Sequence, residues 1–211
     1  MKRPDVPTIL VTATAMRAVE AESFSLATHL EYCPSDHLPV PGKALIYLLN
    51  FGVERIELLS WTKKAQSPLY VDFASSKNSY RRRYSTARNE LLAKAIGLKT
   101  GVSSLRVVDT TAGLGRDAMV LANLGCSVQM FERNPIVFQL LEDGLRRARL
   151  STDQQLLELM TRMELSYGQA LLSGEPDVIY LDPMFPLKNK SSLASKEMAI
   201  FQHLVGDDGD A

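Results

Sequence analysis

The residues whose types and spacing are best suited to chemistry lie between positions 109 and 132. Asp109 ends the apolar run Leu105–Asp109, and the small-residue loop that follows contains Gly113 and Gly115. Glycines allow a tight turn and a close approach of a ligand, and a helix N-terminus beyond them offers backbone N–H groups. Glu132 ends the next apolar run, where an acid can accept hydrogen bonds from both ribose hydroxyls of an adenosine cofactor. The pattern predicts a nucleoside-cofactor site at the carboxyl ends of neighbouring strands.

Two cofactors compete for this site. Residues 113–118 match the G-x-G-x-x-A dinucleotide fingerprint as a bare pattern. In that fingerprint the first glycine follows its strand almost directly, whereas Gly113 lies four positions after Asp109. A strand-end acid with a small-residue loop suits S-adenosylmethionine better, because the sulfonium and amino groups of that cofactor favour nearby carboxylates and carbonyls. The sequence therefore favours S-adenosylmethionine, with NAD, or a glycine turn that binds no ligand, as the alternatives.

A second motif, Y-L-D-P-M-F-P at residues 180–186, follows another apolar run. The Asp182 carboxylate or the Pro183 carbonyl can accept hydrogen bonds from the exocyclic NH2 group of a planar amine, and the Phe185 ring can stack on the base. Such acceptors turn the nitrogen lone pair toward a methyl donor, and the gain is mainly proximity and alignment. General-base assistance is a further option. The alternative is a strand-ending turn with a buried phenylalanine.

Together the motifs resemble one family. D-x-T-A-G-L-G-R-D, F-E-R-N-P and Y-L-D-P-M-F-P, with Lys188, Lys190 and residues 195–198 downstream, are similar to the bacterial small-subunit ribosomal RNA guanine-N2 methyltransferases of the J type. The V-D-F triplet at 71–73 and the arginines at 81–83 are similar too. The likeness covers roughly residues 69–205 and is weak before them. It implies a class I S-adenosylmethionine fold, a cytoplasmic enzyme and a guanine in 16S rRNA as the substrate.

The chemistry of the second motif gives the predicted catalytic set, Asp182, Pro183 and Phe185. For cofactor binding, the first motif contributes Asp109, Gly113 and Gly115. The resemblance implies further cofactor-binding residues: Arg116, Asp117, Glu132, Arg133, Gln169, Ala170 and Asp182. At Gln169 and Ala170 this sequence departs from the small polar residues of the family, so the backbone there would have to serve in place of the side chains.

A basic cluster precedes the cofactor motif. Residues 77–99 contain seven basic residues against one acidic residue. Arg81, Arg82 and Arg83 lie between Tyr80 and Tyr84, so the arginines could contact RNA phosphates while the tyrosines stack on bases. The alternative is a solvated charged face.

These motifs require a particular set of elements. Apolar strands that alternate with helices from residue 77 onward predict a mostly parallel α/β sheet. The expected strands are 105–109, 127–132, 164–167 and 178–181, and the expected helices are 86–96, 115–124, 135–149 and 152–163. We expect residues 77–211 to form a class I methyltransferase domain and residues 1–76 a small α+β domain that caps the site or orients the substrate. In the small N-terminal domain we expect a helix at 16–29, with Val19 and Phe24 on its apolar side, and a turn at 50–52. The expected strands of this domain are 8–12, 44–49, 53–59 and 69–73.

Two segments of the predicted α/β domain are short: one connection between strands and the part of the chain after the last strand. Only ten residues separate the strand that ends at Tyr167 from the one that begins at Val178, whereas a crossover between parallel strands usually needs a dozen or more. After Leu181 only 30 residues remain. We therefore expect residues to be missing after about Ala170 and at the C-terminus.

Composition excludes several classes of protein. The 211 residues are 45% hydrophobic and 23% charged, as in ordinary globular proteins, which excludes a disordered chain. No apolar run approaches the length of a membrane span. The formal net charge is zero, which excludes a globally basic nucleic-acid binder. Two distant cysteines make no disulfide framework or metal cluster, and a reducing cytoplasm fits them.

The predicted function is methyl transfer from S-adenosylmethionine to the exocyclic N2 of a guanine, in 16S rRNA or in the small ribosomal subunit, without a metal or a membrane. Adenine N6 and a glutamine amide are the nearest alternatives, because the same turn can hold any planar amine. An NAD-dependent oxidoreductase and an RNA-binding protein with a vestigial site are the rivals from other classes.

Overall fold

The structure, a computed structural model, describes residues 7–42, 46–63, 66–75, 86–98, 104–170, 175–183, 200 and 204. The chain divides into two compact units, Met1–Tyr70 with Met184–Ala211 and Val71–Pro183. The domain boundary predicted between residues 76 and 77 lies outside the described residues. No helix in the described part of the chain is both long enough and apolar enough to cross a membrane.

The described residues between positions 8 and 60 of the first unit form a four-stranded sheet and one α-helix. Its elements are β1 (Thr8–Ala13), α1 (Ala18–Thr28), β2 (Glu31–Tyr32), β3 (Ile46–Phe51) and β4 (Ile56–Ser60), with a 3-10 turn at Ala15–Arg17 before α1. The strand order is β2-β1-β3-β4, in which β1 is parallel to both neighbours and β4 is antiparallel to β3. Leu49, Phe51, Ile56 and Leu58 are fully buried, so β3 and β4 supply the centre of this core.

Three expectations for this unit are wrong in detail. Val19 is 79% exposed, although Phe24 does pack against Phe51 with ring centroids 5.6 Å apart. The turn predicted at residues 50–52 lies at 52–55, because burial of Phe51 extends β3 and the Gly52 N–H donates to the Arg55 carbonyl (3.1 Å). The strand predicted at 69–73 is a single bridge between Leu69 and Leu58.

The second unit is a parallel α/β sheet, as the sequence predicts. Its elements are α2 (Thr86–Ala95), β5 (Arg106–Asp109), α3 (Arg116–Asn123), β6 (Ser127–Glu132), α4 (Pro135–Arg149), α5 (Gln154–Met160), β7 (Met163–Tyr167) and β8 (Val178–Tyr180). The order β7-β6-β5-β8 is parallel throughout. In this register Asp109 pairs with Tyr180, and Glu132 pairs with Tyr167. The chemical motifs therefore meet at the carboxyl ends of the strands.

Side-chain caps mark the start of two helices of this unit, α4 and α5. The side-chain Oδ1 of Asn134 accepts from the N–H groups of Ile136 (3.0 Å) and Val137 (3.2 Å), which confirms the predicted start of α4. Asp153 caps α5 in the same way. The helix predicted at 152–163 is therefore shorter, and Met163 belongs to β7 because it pairs with β6.

The ten-residue connection from β7 to β8 joins opposite edges of the described sheet. Three strand spacings of about 4.8 Å separate these edges, and the chain must also return about 13 Å along the strands, because Val178 is level with Met163. The span is therefore about 20 Å, whereas ten extended residues reach about 33 Å. The shortness of the connection therefore does not require missing residues. Its residues 171–174 lie outside the described part of the chain.

Candidate cofactor and substrate site

The loop between β5 and α3 is tied to the neighbouring strand ends. The Thr110 N–H and hydroxyl groups both donate to the Tyr180 carbonyl, at 3.1 and 3.3 Å. The Ala112 N–H donates to the Phe131 carbonyl at 3.1 Å. These bonds fix the loop across the carboxyl ends of β5, β6 and β8, which is where ligands bind in open α/β sheets.

The Glu132 side chain also holds this loop through hydrogen bonds. It is 6% exposed, and its Oε2 accepts from the Gly113 N–H (2.9 Å) while its Oε1 accepts from the Asn134 N–H (2.7 Å). A carboxylate oxygen can accept more than one hydrogen bond, and an acid at this strand end is placed to accept from ribose hydroxyls. The Glu132 carbonyl also accepts from the Gly168 N–H (2.9 Å), which brings exposed Gln169 and half-buried Ala170 to the same edge.

Four carboxylates interact at the carboxyl ends of these strands. Asp109 is 1% exposed, and this burial raises its pKa to about 7. A hydrogen bond from the Thr111 N–H (3.0 Å) opposes the shift. The negative charges of Asp117, Glu132 and Asp182 raise the pKa of Asp109 further. The site is therefore acidic, and a positively charged ligand would stabilise its ionised form.

The raised pKa of Asp109 predicts how stability depends on pH. An unfolded Asp titrates near 4, so between about pH 4 and 7 the native state holds the extra proton. Asp109 therefore costs no stability at low pH and destabilises the fold progressively as pH rises through that window. Asp109→Asn keeps an acceptor for Thr111 but cannot ionise, so its advantage over wild type should grow by on the order of 4 kcal/mol from pH 4 to 7 and then level off. Urea unfolding of both proteins without cofactor, repeated across this pH range, measures the difference in their free energies of unfolding. An advantage that is the same at every pH would contradict the assignment.

The charges at the site discriminate between the two cofactors considered. Pyrophosphate beside four carboxylates would be repelled, whereas a sulfonium or ammonium group would be attracted. Two cations flank the acids: exposed Arg116 is the first residue of α3, and half-buried Arg133 follows Glu132. The residues present therefore fit S-adenosylmethionine better than NAD.

The Asp182 turn lies beside the same loop. The Asp182 N–H donates to Thr111 Oγ1 (2.8 Å), while the residue itself is exposed and Pro183 is half-buried. The backbone of the turn is thus fixed, and the carboxylate remains accessible to a substrate. Phe185, the third member of the predicted catalytic set, lies outside the described residues. So do Arg81, Arg82 and Arg83, the predicted RNA contacts.

Gly115 has a packing role that the sequence did not assign. Its φ is +69°, and a Cβ there would lie 2.7 Å from Leu141 Cδ1 and 3.1 Å from Phe73 Cζ. The glycine therefore lets Phe73, from the V-D-F triplet, and helix α4 pack directly beneath the start of α3.

This close packing predicts a large effect of a single methyl group. Gly115→Ala should lower the free energy of unfolding by about 2–4 kcal/mol, since it adds overpacking to the cost of a left-handed alanine. Gly97 is a matched control because it has the same φ of +69° and no atom within 4 Å of an added Cβ. Gly97→Ala should cost only the backbone part, about 1–2 kcal/mol. Equal losses in denaturant unfolding would show that packing at Gly115 does not matter.

Two contributors to the site were not assigned roles from the sequence. The Thr111 hydroxyl holds the Asp182 turn, and the Tyr180 hydroxyl donates to Asp117 Oδ2 (2.8 Å). The available signal for Tyr180 was its place in the same motif as Asp182; the period of two along the strand does not reach Asp182, because β8 ends at Tyr180. Thr111 offered no comparable signal.

Comparisons with known proteins agree with this chemistry. A family model described as a putative SAM-dependent methyltransferase matches residues 36–211. The crystal structure of a SAM-dependent methyltransferase from Neisseria gonorrhoeae aligns over 96% of this chain and 76% of its own, with a TM-score of 0.60 and 33% sequence identity. The fold and the site thus define a class I S-adenosylmethionine-dependent methyltransferase, and S-adenosylmethionine is the cofactor.

Curated relatives identify the family within this class. The chain is 46% identical over 205 residues to Ribosomal RNA small subunit methyltransferase J of Hahella chejuensis. This alignment covers 96% of this chain and 77% of that protein. It is 51% identical over 170 residues to the protein of the same name from Yersinia pestis, covering 79% of this chain and 66% of that relative. The chain belongs to this J-type family, as the resemblance of its motifs predicted.

Proposed function

We propose that this chain transfers the methyl group of S-adenosylmethionine to the exocyclic N2 of a guanine in 16S rRNA, in the cytoplasm. The observation that carries the proposal is the Asp182 turn. Its backbone is hydrogen-bonded to the cofactor loop through Thr111, and its accessible carboxylate interacts electrostatically with buried Asp109. The names of the relatives supply the small-subunit RNA, and the resemblance of the motifs supplies the guanine N2.

The cofactor would bind along the carboxyl ends of β5, β6 and β7. S-adenosylmethionine supplies a methyl group on a positively charged sulfur. In this proposal Glu132 accepts from the ribose hydroxyls, while Asp109 and Asp117 face the cationic groups. The remaining members of the binding set are Gly113, Gly115, Arg116, Arg133, Gln169, Ala170 and Asp182.

The substrate amine would be held at the other side of the cofactor. The Asp182 carboxylate and the Pro183 carbonyl accept hydrogen bonds from the N–H groups of the amine, so the nitrogen lone pair points toward the methyl group. Phe185 stacks on the base, and Asp182 can take up the proton that the nitrogen loses after transfer. Most of the rate gain comes from this alignment. Arg81, Arg82 and Arg83 contact RNA phosphates in this proposal.

A transfer assay tests the proposed substrate. The purified chain is incubated with methyl-labelled S-adenosylmethionine and, separately, with naked 16S rRNA, small ribosomal subunits and 23S rRNA. We expect label in at least one of the small-subunit substrates and none in 23S rRNA. Equal labelling of both RNA classes, or no labelling by a chain that binds S-adenosylmethionine in calorimetry, would contradict the proposal.

A further inference from the structure

Tyr180 joins the two halves of the site. It is the last residue of β8, and its hydroxyl donates to Oδ2 of Asp117, the second residue of α3, at 2.8 Å. Its carbonyl accepts both Thr110 bonds, and Asp182 lies two residues further on. One residue therefore contacts an acid of the cofactor set, the loop after β5 and the strand end that carries the substrate turn.

The chemistry of this contact gives it a direction. A carboxylate can only accept, so the phenol is the donor. Burial raises the pKa of the Tyr180 hydroxyl, and the bond to Asp117 raises it further, so the donor stays protonated at working pH. A hydrogen bond to a charged acceptor is about twice as strong as one between neutral groups. The bond thus restrains the orientation of the Asp117 carboxylate without adding a charge to an already acidic edge.

We propose that Tyr180 is a positioning residue that holds the Asp117 carboxylate in the orientation required to bind S-adenosylmethionine. The proposal rests on the cofactor role given to Asp117 under the proposed function, and it does not depend on the RNA substrate. It assigns a role in cofactor binding to a side chain from the substrate-side motif.

A double-mutant cycle on cofactor affinity tests this link. Tyr180→Phe keeps the ring and removes only the donor, and we expect it to weaken S-adenosylmethionine binding in calorimetry by about tenfold. Asp117→Ala should weaken binding at least as much. Because Tyr180 acts through Asp117, the double variant should bind no more weakly than Asp117→Ala alone. Tyr32→Phe is the matched control, since Tyr32 also ends a parallel strand, β2, but belongs to the first unit and to neither residue set of the site, and its affinity should equal that of wild type.

The outcomes separate a positioning role from a structural one. A loss in the double variant that equals the product of the two single losses would overturn the proposal, as would wild-type affinity in either Tyr180→Phe or Asp117→Ala. Thermal unfolding without cofactor serves as the structural readout, and Tyr180→Phe should unfold within a few degrees of Tyr32→Phe. If the cycle shows coupling but no small-subunit RNA is methylated, then the proposed function fails while this inference stands.

Discussion

Replacing Asp182 by alanine is expected to lower the rate of methyl transfer by about a hundredfold or more. The substitution removes an acceptor that aligns the substrate amine, and misplacement of a reactant by about 1 Å can cost that much. The fold should persist, because the backbone bond to the Thr111 hydroxyl does not involve the Asp182 side chain. Cofactor affinity should fall less than the rate, although the resemblance assigns Asp182 to the cofactor set as well.

Single-turnover transfer with labelled cofactor measures this effect apart from product release. Asp182→Asn is the matched variant, since its amide oxygen can still accept from the amine, and it should retain more activity than Asp182→Ala. A rate for Asp182→Ala near that of wild type would assign the turn a purely structural role.

Glu132→Ala should have the second large effect, on both stability and cofactor affinity. The substitution leaves the N–H groups of Gly113 and Asn134 without their acceptor at a position that is 6% exposed. A fully buried N–H that loses its partner costs about 1–3 kcal/mol; these two N–H groups are part-buried, so each should cost about 1–2 kcal/mol and the free energy of unfolding should fall by about 2–4 kcal/mol in total. Loss of the ribose acceptor should weaken S-adenosylmethionine binding by a further 1–3 kcal/mol.

Two variants control for this result. Glu132→Gln keeps one acceptor oxygen and should lie between wild type and alanine in denaturant unfolding and in calorimetry. Glu164 lies on the neighbouring strand β7 but is exposed, so Glu164→Ala should change neither quantity appreciably. If Glu132→Ala bound the cofactor as tightly as Glu164→Ala, the ribose role would be wrong.

The parts of the fold that the sequence predicted carry strong local signals. Asn134 followed by Pro135 determines the start of α4, and positive-φ glycines at 97 and 125 follow the ends of α2 and α3. Where tertiary contacts decide, prediction failed: β3 extends through Phe51 because that ring is buried, and Leu69 forms only one bridge. The exposure of Val19 could not be predicted either, because helical periodicity alone does not identify the face that packs.

The same distinction applies to the site. Asp109 and Glu132 were predictable because an acid at the end of an apolar strand is a local pattern, and the structure buries both. The roles of Thr111 and Phe73 depend on contacts with residues far away in the sequence, at Asp182 and Gly115, which no local pattern reveals. The raised pKa of Asp109 likewise needs three-dimensional burial.

The identity of the methylated nucleoside tests the central claim most directly. Small-subunit RNA labelled by the chain is digested to nucleosides, and the labelled product is separated by chromatography and mass spectrometry. The account predicts N2-methylguanosine, with the label abolished in Asp182→Ala. N6-methyladenosine as the labelled product would contradict the guanine assignment while leaving the amine-holding chemistry of the turn in place.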